Sequence, residues 1–97
     1  MNIIIEGAKK EETFLVDGSR LTVYEEDGTW AVVGGRPKRK LVTITGEGLK
    51  NVGKGGLMGM ARRCGLETME GKALKLLFHL AAQDIEGKWY IGLGSKD

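Results

Sequence analysis

The sequence predicts an α+β fold: a mostly antiparallel β-meander of about four to five strands, one main C-terminal helix packed on it, and room for a short extra helix. Three observations carry this. Two Asp-Gly pairs, Asp17-Gly18 and Asp27-Gly28, each stand between segments rich in Val, Leu, Thr, Tyr and Trp. Residues 67–84, ETMEGKALKLLFHLAAQD, repeat apolar side chains at helical spacing. The chain of 97 residues, 41% of them hydrophobic, is long enough for one core and too short for two, so residues 1–97 form a single domain.

Taken in order, Asn2–Glu6 reads as a short opening strand. Asp-Gly suits tight hairpins because both residues tolerate positive φ, so TFLVDGSRLTVYEEDGTWAVVGG folds back twice. A third reversal falls at GGRPKRK. There Pro37, with no amide hydrogen for a ladder, belongs in a turn or on an edge, and LVTIT follows as a strand. Leu57–Cys64 allows the short helix, ended by Gly65. In the main helix, Lys72–Gln83, one broad face carries Ala73, Leu74, Leu77, Phe78, Leu80 and Ala81, with Lys72, Lys75 and Gln83 outside it. Asp84 and Gly87 sit where it stops. KWYIGLG, residues 88–94, makes a final strand with Trp89, Ile91 and Leu93 on one side.

Composition narrows the function. Cys64 is the only cysteine, which excludes an internal disulfide and a cysteine-based zinc cage and fits a reducing compartment. The opening MNIIIEGAKK lacks the basic and long apolar regions of a secretory signal, and no apolar run approaches a membrane span; the expectation is a cytoplasmic protein that does not engage membranes. The net charge of +2 is unevenly spread. Residues 1–35 carry three basic and seven acidic side chains, and residues 64–97 carry four and five. Residues 36–63 hold eight basic side chains, Arg36, Lys38, Arg39, Lys40, Lys50, Lys54, Arg62 and Arg63, against Glu47 alone. Positive charge concentrated in the middle third points to a polyanionic partner.

The same region is rich in glycine: Thr45–Gly65 contains seven. Within it, Gly48 to Gly55 resembles a phosphate-binding P-loop and follows a strand, as a P-loop does. The Ser/Thr position that would hold magnesium is Gly55, and no later strand offers an acid for the metal, so nucleotide hydrolysis is not expected. Two readings remain for the segment: a loop whose glycines let the backbone approach phosphates, or a solvated connection whose charges aid solubility.

MARRCGLETMEGKALKLL resembles the first helix and turn of a helix-turn-helix, with Ala61 and Gly65 four apart and Leu66 following. It departs from that pattern at Gly71, where a buried Val or Ile is usual, and in the acidic start of its second helix. Two packed helices without a DNA role give the same spacing.

Other residues give weaker signals. Tyr24 and Tyr90 are the aromatics best placed to stack on bases, while most of Phe14, Trp30, Phe78 and Trp89 belong to the core. His79 has Lys75, Leu76, Ala82 and Gln83 as helical neighbours and so lacks partners for a metal or for base catalysis. Cys64 has no histidine near it in sequence. Glu25, Glu26 and Asp27 cluster at a hairpin tip, and Met58, Met60 and Met69 flank the basic segment, either sealing the helix on the sheet or adapting to a partner.

No arrangement supplies nucleophile, base and stabiliser together, so the protein is expected to be no enzyme and to need no cofactor, metal ion or catalytic residue. Two function classes stay open. One is a non-enzymatic nucleic-acid-binding domain for DNA or RNA, its eight central cations meeting phosphates through the basic Gly-rich segment. The other is a protein-interaction module: an accessory subunit, inhibitor or regulator. An acidic first third beside a basic middle also allows a homo-oligomer.

Overall fold

A computed structural model describes residues 10–82. Four strands, β1 (Lys10–Val16), β2 (Ser19–Glu26), β3 (Thr29–Gly34) and β4 (Arg39–Thr45), form one antiparallel sheet in the order β1-β2-β3-β4. Two helices follow, α1 (Gly46–Cys64) and α2 (Met69–Ala82). α1 is kinked at Gly53 (φ 74°, ψ 173°) into two helical segments. The α+β meander with a C-terminal helix on the sheet is the fold the sequence predicts. The strands expected at Asn2–Glu6 and at residues 88–94 lie outside the described residues.

Both Asp-Gly pairs form the hairpins their chemistry favours. Asp17 (φ 50°) and Gly18 (φ 82°) connect the pair Val16↔Ser19, and Asp27 (φ 54°) and Gly28 (φ 77°) connect Glu26↔Thr29. Positive φ at both central residues matches the turn to the strand twist. The third connection, Gly35 to Lys38, contains a cis Arg36–Pro37 bond. A bulge after Val32 shifts the register so that Val33 faces Lys40, while Gly34 faces Arg39.

Strand alternation turns Phe14, Leu21, Val23, Trp30 and Val32 to the helix side, where they are buried with Leu49, Leu57 and Ala61 of α1. α2 contributes Gly71, Ala73, Leu74, Leu76, Leu77 and Leu80, all buried. Those residues cover more than one side of a helix, because α2 packs on both the sheet and α1. Each fully buried Leu contributes about 2 kcal/mol of transfer free energy. The three methionines, Met58, Met60 and Met69, pack against this core.

The glycine-rich segment is the departure from expectation. Gly46 to Val52 is helical, neither a phosphate-cradling loop nor an open connection, and the short helix expected at Leu57–Cys64 is the second segment of the same element. Thr45 starts it: its Oγ1 accepts from the Gly48 amide at 2.9 Å, and Glu47 lies in the first turn. Glycine disfavours helix by about 1 kcal/mol per residue relative to Ala. Burial of Leu49, Leu57 and Ala61 outweighs that here.

Candidate functional site

In this meander the β1–β2 and β3–β4 turns share one end of the sheet, and the β2–β3 turn and the β4–α1 junction share the other. Arg36, Lys38, Arg39 and Lys40 stand at the first end, all exposed. Arg62 and Arg63 occupy the last turn of α1, which abuts the first turn of α2. The joint is tight: a Cβ on Gly71 would lie 2.1 Å from the Gly65 carbonyl oxygen. Beside it, Glu70 accepts a hydrogen bond of 2.7 Å from Arg39 Nη2. The start of α2 and the hairpin end are thereby brought together.

Four of the eight sequence-selected cations thus gather at the hairpin end; Arg62 and Arg63 stand at the end of α1, with the Arg63 guanidinium turned back along that helix toward Gly59. Lys50 stands in the first segment of α1, just past Thr45, at the opposite end. Lys54 follows the kink at Gly53. Arg39 is engaged by Glu70, which it holds below the usual glutamate range chiefly through their hydrogen bond. Among the described residues, Arg36, Lys38, Lys40, Arg62 and Arg63 are exposed and make no ion pair or side-chain hydrogen bond.

An open groove of about 950 Å³ runs over the same end, its lining including Thr13, Leu15, Arg20, Thr22, Arg36 and Lys38. Thr13 and Thr22 pair across β1 and β2, with their hydroxyl oxygens 3.0 Å apart. Arg20, opposite Leu15, is a cation of this site that the charge blocks conceal, because it lies in the acidic first third. Strand alternation held the signal: with Leu21 and Val23 turned inward, Arg20 and Thr22 turn outward.

α2 is fastened over this end by further polar contacts. Lys72 Nζ donates to Ser19 Oγ at 3.0 Å, and Lys75 pairs with Asp17 in the β1–β2 turn. The Lys75 hydrogen bond, reinforced by its charge, holds the Asp17 carboxyl below the usual aspartate range.

The helix-turn-helix spacing does produce two helices joined at Gly65, yet the second turns Gly71, Ala73, Leu74, Leu76, Leu77 and Leu80 into the core, and Glu70, Lys72 and Lys75 near its start are tied to Arg39, Ser19 and Asp17. Gly71 stands where a bulkier residue was the usual pattern because the Gly65 carbonyl occupies that space. Trp30 and Phe14 are core residues and Tyr24 is half-buried, so among the described residues no aromatic side chain is fully exposed for stacking. Trp89 and Tyr90 lie outside the described residues. His79 is exposed with its ring edge against Phe78, and Cys64 is an exposed thiol. Among the described residues, no cluster of His, Cys, Asp and Glu could hold a metal ion, and no helix is long and apolar enough to cross a membrane.

The chain matches no protein-family model, no curated protein and no solved structure.

Proposed function

We propose that the protein is a small non-enzymatic nucleic-acid-binding domain that meets phosphates with its basic end. The supporting observation is that Arg36, Lys38, Lys40, Arg62 and Arg63 are all exposed with no carboxylate partner among the described residues, the first three together at one end of the sheet. Cations that the fold does not use internally retain their full attraction for a polyanion, and each phosphate they engage releases condensed counterions. The glycine-rich segment serves this reading as a support: its second helical half carries Arg62 and Arg63 to the end of α1 that adjoins α2.

The test is binding of labelled DNA and RNA across a salt series. Five engaged phosphates give a log–log salt slope of about −4. Replacing Arg36, Lys38, Arg62 and Arg63 together with Ala should lower affinity roughly 100-fold and flatten the slope to about −1. Unchanged affinity in that variant, with the fold intact by circular dichroism, would overturn the proposal. Salt-insensitive capture of a protein partner, without nucleic-acid binding, would favour the interaction module instead.

A further inference from the structure

The groove at the basic end differs from a flat charged surface in what lines it. Twelve residues do so; Arg20, Arg36, Lys38 and Arg39 are cations and none is an acid. Arg39 is paired with Glu70, so Arg36 and Lys38 supply the wall's uncompensated charge, and a concave surface focuses their field. Thr13, Ser19 and Thr22 add hydroxyls. Of the two threonines, one hydroxyl hydrogen is spent between them, which leaves the other for a ligand. Gly34 and Gly35 bring the backbone itself to the wall, and Leu15, 47% exposed, supplies an apolar flank opposite the β3–β4 turn.

These features select among nucleic acids. A volume of about 950 Å³ is at the upper end of small-ligand sites, room for a few nucleotides of a strand. Near the start of α2, the helix in the reading position of the helix-turn-helix spacing, Glu70, Lys72 and Lys75 are tied to Arg39, Ser19 and Asp17 rather than presented to a duplex. A single strand, by contrast, presents phosphates on one side and sugar and base surface on the other, matching the cationic and apolar walls.

Resting on the nucleic-acid reading, we propose that this groove seats a single strand, its phosphates toward Arg36 and Lys38 and its less polar surface against Leu15.

Leu15→Glu tests this, since the side chain is already exposed and the substitution sets a carboxylate in the groove. The probes are fluorescein-labelled single strands of about 12 nucleotides, the matching duplex, and inorganic tripolyphosphate as competitor. The single strand should bind at least about fivefold tighter than the duplex, and Leu15→Glu should weaken the strand about tenfold but the duplex only about twofold. Melting monitored by circular dichroism checks that the variant folds. Equal affinity for strand and duplex, or equal loss of both in the variant, overturns the groove assignment and leaves the phosphate-binding reading standing. Failure of every nucleic acid to bind overturns both. Displacement of the strand by equimolar tripolyphosphate overturns the assignment in favour of a short phosphate chain as the ligand.

Discussion

The two ends of the sheet are built alike and charged oppositely. At one end the β2–β3 turn carries Glu25, Glu26 and Asp27, with Glu47 just past the β4–α1 junction. There the fold consumes its polar groups: Glu25 Oε2 accepts from the Gly28 amide at 2.7 Å, the Gly46 amide donates to the Gly28 carbonyl at 2.7 Å, and Thr45 caps α1. At the other end most of the cations do no such internal work. The lesson is that charge density along a chain says little about availability. Acids and bases are both clustered in this sequence and both face solvent, but Glu25 closes its own turn, whereas Arg36, Lys38 and Lys40 have no partner among the described residues.

The contrast can be broken at the joint beside the basic end. Gly71→Ala forces a Cβ against the Gly65 carbonyl, a backbone atom that cannot swing aside as a side chain would. We expect a loss of about 3 kcal/mol, read as a lower urea midpoint, accompanied by weaker nucleic-acid binding as the end of α1 carrying Arg62 and Arg63 is displaced.

Substituting charge at each end in turn sharpens the comparison. Arg36, Lys38 and Lys40 changed together to Ala should reduce affinity roughly 100-fold and the salt slope by about three units. Glu25, Glu26 and Asp27 changed together to Gln should raise affinity less than about threefold, through long-range field alone. Similar effects of the two triple variants would mean that overall charge, not the basic end, governs binding. At the acidic end, Thr45→Ala removes the cap of α1 and should destabilise by about 1 kcal/mol without altering affinity.

The smallest effect isolates Arg39. Glu70→Gln releases it from its ion pair, and binding should tighten about twofold while the melting temperature barely moves, since both partners are exposed to water. The pH dependence has a fixed sign. Asp17 and Glu70 have carboxyl pKa values lowered in the folded state, so their pairs stabilise above the ordinary carboxylate range and lose that effect as pH falls through it and below. Melting curves between neutral and strongly acidic pH should show this small decline, and Asp17→Asn with Glu70→Gln should remove it.

The hairpins were legible because Asp-Gly carries its own turn geometry, and α2 because Leu74, Leu77 and Leu80 recur at helical spacing. The first half of α1 was not legible. Its helicity depends on Leu49 entering the core, tertiary burial that overrides the local preference of Gly46 and Gly48. The site divides in the same way. RPKRK was visible as a run, whereas the place of Arg62 and Arg63 beside α2 depends on the Gly65–Gly71 joint, and the exclusion of Lys50 depends on which end of β4 leads into the helix. Neither is encoded in spacing.

β4 passes into α1 with no intervening residue, Thr45 ending one and Gly46 starting the other. No loop separates sheet from helix there, and between Lys40 and Arg62 the regular backbone is interrupted at the Gly53 kink. A ligand arriving at such a backbone meets charges already in position and has little main chain to order. Association should therefore be quick and governed by diffusion under electrostatic steering, with ionic strength acting mainly on the arrival rate.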